Sequence, residues 1–407
     1  MKTIDLVWFN AGGGHRAAAQ ALEQEILAQG RPWKVRKVNL TEVLDPSATF
    51  KSLTGIEPED LYNKRLASGF TLGLAQELKL LQAMIRMGHE TLVRRLQRHW
   101  AATRPDMLVS LIPNFNRCLH DSLKLACPGA PFVTVMTDMA DHPPNFWIEP
   151  GLVQHLVCGT EHAARQAAAA GVPAARIHRA SGMILRPEFH FAPRLERLSE
   201  RPAELPSERQ TERQTERLTA GLDADTPTGL VLFGGTGSRA MKRIAESLPR
   251  VPLILMCGRN EALADTLRQL PAPAPRIVVG YTPNVMRWMQ LADFFIGKPG
   301  PGSLSEAVHM GLPVIVTRNA WTMPQERWNT EWVEQQGLGL VLRSFSQVQA
   351  AVDQITHDLA ACRARVAAVQ NHAVIELPRI LQRILDGAAP LALSETALQR
   401  ESNASHA

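Results

Sequence analysis

Three stretches place glycine, histidine, carboxylate and amide side chains where an α/β protein does its chemistry. The first is Asn10-Ala11-Gly12-Gly13-Gly14-His15, between an apolar strand-like run and an alanine-rich helix. Glycines at a strand-to-helix turn let a ligand reach the backbone, and a helix N-terminus favours negative charge. The pattern is not Gly-x-Gly-x-x-Gly, and no Lys-Ser/Thr follows as in a P-loop, so a dinucleotide or NTPase reading is weak. His15, at the expected start of the helix, either caps the turn or acts as a catalytic or binding group, since ligands of open α/β sheets bind there.

The second stretch, Phe233-Gly234-Gly235-Thr236-Gly237-Ser238, repeats the strand–glycine–helix arrangement in the other half of the chain. The third runs from Lys298 through Gly300, Gly302 and Ser303 to Glu306 and Ala307. Here Ser303 and Glu306 fit a capping box. Alternatively, the Glu306 carboxylate accepts from two vicinal hydroxyls, as on a ribose. Beyond Gly311-Leu312-Pro313, the residues Gln325, Glu326 and Asn329 fall on one face of a helix start. They suit sugar hydroxyls or, equally, a solvated helix start.

Strand-like runs position these groups. They occur at Ile4–Phe9, Met107–Ile112, Phe132–Thr137 and Leu156–Cys158, then at Gly229–Phe233, Leu253–Cys257, Ile277–Val279, Phe294–Ile296, Val314–Thr317 and Leu340–Leu342. Helical segments such as Ala17–Ala28, Ala163–Ala170 and Ala240–Leu248 lie between them, which predicts parallel sheets with crossover helices. The expected division is an N-terminal Rossmann-like domain over 1–192, a polar linker or insert over 193–227 and a second α/β domain over 228–372. A helix over 373–388 is expected to pack back on the first domain, followed by a disordered tail over 389–407. The linker contains the tandem repeat Glu208 to Arg217, read as a solvated helix or disordered insert that cannot be core.

A chain of 407 residues is long enough for two domains with separate cores. Its net charge of +5 suits an anionic substrate or membrane surface and is too diffuse to argue for nucleic acid. Five scattered cysteines without zinc spacing read as buried thiols in a reducing compartment. There is no run of eighteen apolar residues, and the first apolar run stops at Phe9, short of a signal-peptide core. The expectation is a cytoplasmic protein. Leu66, Phe70, Leu74, Leu78, Leu81 and Ile85 recur at helical spacing among Lys64, Arg65, Lys79, Arg86, Arg94, Arg95 and Arg98. That stripe either faces the core or docks on an anionic bilayer.

Taken in order, the motifs resemble those of the GT-B glycosyltransferases of the monogalactosyldiacylglycerol synthase type, relatives of the GlcNAc transferase that forms lipid II. The matching residues are Gly12 to Ala19, Thr137-Asp138, His142-Pro143, Trp147, Lys298 to Ala307, Gly311 to Pro313, and Gln325, Glu326 and Asn329. The resemblance spans Val7 to about Leu342, apart from the polar insert. Gly182-Met183-Ile184 departs from the family's Gly-x-Pro, and the repeat has no counterpart.

The resemblance implies two Rossmann-like domains facing across a cleft, with a UDP-sugar as substrate and no further cofactor. Glu306 would hold the ribose, Gln325, Glu326 and Asn329 the sugar, Gly235, Thr236 and Gly237 the pyrophosphate, and backbone near Tyr281 the uracil. Gly14, Gly300, Gly302 and Ser303 would also line the donor. His15 would be the general base, with Asp138 its substitute or partner. No metal ligand set is expected, and backbone donors and helix dipoles would stabilise the departing UDP. The implied activity transfers a hexose, galactose or glucose, to a lipid such as diacylglycerol with inversion to a β-glycoside. The enzyme would lie peripherally on the inner face of the cell membrane. Alternatives are transfer to a soluble acceptor and a non-transferring UDP-sugar binder or epimerase-like protein.

Overall fold

The computed structural model describes residues 1–9, 13–45, 74–191 and 208–387. Asn10 to Gly12, the stripe residues before Leu74, linker residues 192–207 and the tail from 388 lie outside these. Two six-stranded sheets, parallel throughout, form the frame. The first contains β1 (Lys2–Trp8), β2 (Trp33–Asn39), β3 (Met107–Ser110), β4 (Phe132–Val135), β5 (His155–Cys158) and β6 (Ile177–Arg179), in spatial order β2-β1-β3-β4-β5-β6. The second contains β7 (Gly229–Leu232), β8 (Leu253–Gly258), β9 (Arg276–Gly280), β10 (Phe294–Gly297), β11 (Val314–Thr317) and β12 (Gly339–Leu342), in order β12-β11-β10-β7-β8-β9. Unbroken runs such as Leu253 to Cys257 are buried from end to end, as strands covered by helices on both faces require.

Strands β2 and β6 have no counterpart among the expected runs. Both are sheet edges. Lys34, Arg36 and Lys37 interrupt the apolar pattern of β2, and β6 has only three residues. Each sheet reverses its strand order once, at β1/β3 and at β7/β10. Crossovers leave those points toward opposite faces and open a crevice at the strands' carboxyl ends. Pairing of Val7 with Ser110, and of Leu232 with Gly297, sets the following loops side by side.

The helix Ala373–Leu385 returns to the first sheet, where Ala373, Leu377, Leu381 and Ile384 share a core with Ile4, Leu6, Leu22 and Ile26. The Gln29 side-chain amide fastens it by donating to the Ile375 carbonyl at 2.9 Å.

The tandem repeat is not the solvated insert expected from its composition. Glu208–Thr219 is a helix, and Arg217 within it is completely buried. Spacing of four residues puts Arg213 and Arg217 on one helix face. Both pair with Asp293 at 2.8 Å, where Arg363 joins them. The Arg217 guanidinium also donates to the carbonyls of Asp223, Leu291 and Thr226 and to the Thr228 hydroxyl. A long arginine stem with a fully bonded head takes the place of an apolar side chain. This helix belongs to the body of the second sheet, so that body begins by residue 208, within the expected linker.

Arg217→Ala is expected to cost about 3 kcal/mol of unfolding free energy, the low end for breaking a buried pair, because Arg213 and Arg363 still reach Asp293. Denaturant unfolding measures it. A loss within about 0.5 kcal/mol, the range of ordinary surface substitutions, would return the segment to solvent.

Candidate active site

Gly13 adopts φ of +79°, and the helix Gly14–Ala28 starts directly after it, so His15 is the second helical residue. Its side chain makes no cap bond. Instead, Nδ1 lies 2.8 Å from the Leu111 carbonyl, just past β3 on the other side of the strand reversal. A carbonyl only accepts, so Nδ1 carries the proton and Nε2 keeps its lone pair. The Thr137 hydroxyl lies 3.1 Å from the same nitrogen, and the rings of Phe9 and Trp147 stand 4.8 and 6.2 Å away. Burial pushes the imidazole pKa down to about 4, with the Leu111 bond opposing. His15 is therefore a neutral base near pH 7.

Asp138 does not bond His15. Its Oδ2 accepts from the Trp147 indole N–H at 2.9 Å. Burial raises its pKa to about 7, against the Trp147 bond. The same carboxyl feels the charges of Glu326 and Lys298 from the second domain. Asp141 holds the loop carrying Trp147 by accepting from the Asn145 and Trp147 backbone N–H groups at 3.0 and 2.6 Å.

In the second domain the Gly234–Gly237 turn leaves β7 with positive φ at Gly234 and Gly237, and Gly235 and Thr236 are exposed. A Cβ at Gly258 would come within 2.2 Å of the Gly235 carbonyl oxygen, so the turn is packed backbone on backbone. Alongside, the helix Pro301–His309 has Gly300 as its N-cap and no side-chain cap bond. Ser303 is already inside the first turn, and the capping-box reading of Ser303 with Glu306 fails. The carboxylate of Glu306, its pKa raised to about 7 by burial, has Arg186 of the first domain at 3.8 Å.

Gln325, Glu326 and Asn329 are all buried, so the alternative of a solvated helix start fails as well. Glu326 Oε1 accepts from Lys298 Nζ at 2.8 Å, and Asn329 donates to the Pro299 carbonyl at 2.7 Å. Among the described residues, Gln325 Oε1 and Asn329 Oδ1 have no hydrogen-bond partner. Gly302 is exposed in the first turn of the Pro301–His309 helix. Tyr281 lies at the outer rim, mostly exposed, with the Arg259 guanidinium 4.7 Å over its ring. Arg186 donates to the nearby Pro283 carbonyl at 2.7 Å, and His162 stacks on Trp328 at 4.5 Å. Arg186, His162 and Lys298 were not among the expected site residues; only Lys298 sat in a motif.

Sequence spacing also offers Asp223-Ala224-Asp225 as an Asp-x-Asp pair. Asp223 instead accepts from the Asp225 and Thr226 N–H groups and the Thr226 hydroxyl, ahead of β7 and so at the far end of the sheet from the glycine turn.

Curated proteins with similar sequences include the chloroplastic monogalactosyldiacylglycerol synthase of Spinacia oleracea, 25% identical over 375 residues that cover 87% of this chain and 66% of the spinach protein. This chain thus spans slightly under two thirds of that relative. Among solved structures, MurG of Acinetobacter baumannii superposes with a TM-score of 0.56 at 13% identity, over 94% of this chain and all of that one. The fold is GT-B, and the chain is a relative of the monogalactosyldiacylglycerol synthases. No family model matches it. A putative UDP-N-acetylglucosamine 2-epimerase from Listeria monocytogenes shares the architecture at a TM-score of 0.55 and 12% identity, over 96% of this chain and 99% of that one. Fold alone therefore does not separate transfer from epimerisation. The synthase relatives support a glycosyltransferase.

In this synthase relative, the cleft groups titrate in opposite directions for one reason. Burial penalises the charged form, lowering His15 and raising Asp138 and Glu306. Nitrogen NMR of selectively labelled histidine is expected to show His15 neutral, with its proton on Nδ1, until the pH falls to about 4. A His15 titration near 6.5, or a proton on Nε2, would remove it as a ready-made base.

Proposed function

We propose that the protein transfers a hexose from a UDP-sugar to a lipid hydroxyl at a membrane surface, with inversion. One observation carries the reading: groups from both sheets meet across the cleft. Asp138, adjoining the His15 pocket through Trp147, feels Lys298 and Glu326, and Arg186 crosses to Glu306. A nucleotide binder alone would need only the second half; a neutral histidine in the first half, its Nε2 lone pair kept, adds a base. Its Nε2 takes the acceptor hydroxyl's proton as that oxygen attacks the anomeric carbon. The buried acceptors of Gln325 and Asn329 suit sugar hydroxyls, which donate.

The exposed face of the helix Leu74–Met87 supports a lipid acceptor. Leu78 and Ile85, members of the stripe legible in the sequence, point into the core. Leu81 of the same stripe faces outward, with Leu80, Met84 and Met87 and beside exposed Lys79 and Arg86. On its inner side Gln82 donates to Asn114 and to the Asn145 carbonyl, in the loop that leads to Trp147. The apolar face and the base thus lie on two sides of one packed layer. Among the described residues no helix is long and apolar enough to cross a membrane, and peripheral attachment through this face fits.

His15→Ala is expected to reduce turnover about 100-fold with UDP affinity retained. Glu306→Ala is expected to lose about 1.5–3 kcal/mol of UDP affinity without lowering the melting temperature, because no cap is lost. Turnover, calorimetry and thermal melting on the same preparations separate these outcomes. Normal turnover in the first variant removes the base, and unchanged UDP affinity in the second removes the ribose contact. Transfer with retention overturns the inverting mechanism, whereas interconversion of the donor without transfer favours the epimerase reading.

The membrane reading predicts sedimentation with anionic vesicles and release by salt. Met84→Glu with Met87→Glu should abolish it while the fold stays intact, since both side chains are exposed. Unchanged sedimentation of that double variant would exclude this face.

A further inference from the structure

The short turn Pro324–Glu326 runs into the helix Arg327–Gln335, whose second residue, Trp328, meets the first domain. Its indole is buried, in one core with Met139 and Ala140 of that domain. His162 lies on it with ring centroids 4.5 Å apart and planes inclined by only 13°, the geometry of an offset stack. Burial lowers the His162 pKa, the charges of Arg165 and His142 act the same way, and Glu331 opposes them. Near pH 7 the ring therefore stacks as a neutral aromatic.

His162 stands in the helix Glu161–Ala169, which holds the loop after β4. Thr160, its N-cap, accepts from the Ala163 N–H at 3.1 Å and donates to the Met139 carbonyl. Gln166 pairs twice with Asp141, accepting from its N–H at 2.8 Å and donating to its carbonyl at 3.1 Å. Spacing of four residues puts His162 and Gln166 on one helix face. One short helix thus touches both sides of the cleft. Asp138 directly precedes the segment it grips, and Asn329 directly follows the indole it stacks on. Among the described residues, Gln325 Oε1 and Asn329 Oδ1 have no partner to aim them, so the backbone beneath them decides where they stand.

We propose that His162 is a positioning residue that sets the Gln325–Asn329 turn against the Asp138 loop through its stack on Trp328. The proposal rests on the UDP-sugar reading above, in which that turn holds the hexose. Asp138 feels the charge of Glu326, so the two sides are close enough for a small shift of the indole to matter. Glu306, assigned to the ribose, stands on a different helix, Pro301–His309. The stack therefore acts on the sugar and not on the nucleotide.

Titration calorimetry on the full chain with UDP, UDP-galactose and UDP-glucose separates the two. His162→Ala is expected to lower affinity for the preferred UDP-hexose about twofold to tenfold, the scale of an aromatic pair, and to leave UDP affinity unchanged. His162→Phe, which restores a stacking ring without its nitrogens, should keep the wild-type ratio of UDP-hexose to UDP affinity. Gln166→Ala should lower the same ratio, and adding His162→Ala should lower it no further, because both loosen one link. An unchanged ratio in His162→Ala overturns the proposal. So does a loss shared by UDP, or a loss that His162→Phe does not repair. Additive losses, or a silent Gln166→Ala, break the link to the Asp138 loop and overturn the positioning role with it. A wild type that binds UDP but neither UDP-hexose, or no uridine nucleotide at all, brings down the donor reading itself and His162 with it. The other outcomes, seen in a wild type that binds both, leave that reading standing.

Discussion

A parallel sheet sends every strand's carboxyl end in one direction, and only where the strand order reverses do the following loops part to admit a ligand. Each half of this chain reverses once. His15 and the Leu111 carbonyl follow β1 and β3, and the Gly234–Gly237 turn and Lys298 follow β7 and β10, at those reversals. The constraint extends to partners. The Leu111 carbonyl can fix the His15 tautomer because β3 adjoins β1. Lys298 can lie over Gly234 because β10 adjoins β7. Holding both crevices in one cleft falls to the crossings between halves, above all the returning helix Ala373–Leu385, whose apolar face completes the first core.

Glycine turns after apolar runs were legible in the sequence because strand, turn and helix each leave a local signature. The parallel architecture followed from their alternation. What was not legible depends on contacts distant in sequence. Arg217 reads as a surface charge until Asp293, seventy-six residues away, and the carbonyls around it satisfy the guanidinium. Ser303 and Glu306 match a capping box, yet Pro301 starts the helix three residues early and makes that geometry impossible. The stripe through Leu78 and Ile85 shows the correct period, but periodicity cannot say which of two apolar faces meets the core. Leu80, Met84 and Met87 form the other. Edge strand β2 escaped notice because Lys34, Arg36 and Lys37 interrupt its apolar pattern.

The charges of the cleft follow from the same desolvation. His15 is depressed to about 4, so its contribution to stability is fully present above its ordinary 6.5 and is lost as pH falls toward 4. Asp138 and Glu306 are raised to about 7, so theirs is present below the ordinary carboxylate range and is lost as pH rises through 7. Between these limits the imidazole is mostly neutral and both carboxyls keep a growing share of their protons as pH drops below 7. The Lys298–Glu326 pair, held at 2.8 Å, is then the principal fixed charge separation there.

A neutral imidazole accepts a proton without first having to lose one. Lys298 is held in one orientation by the buried Glu326 at 2.8 Å. In the proposed reaction the sugar hydroxyls satisfy the unpaired acceptors of Gln325 and Asn329, which Glu326, held by Lys298, flanks.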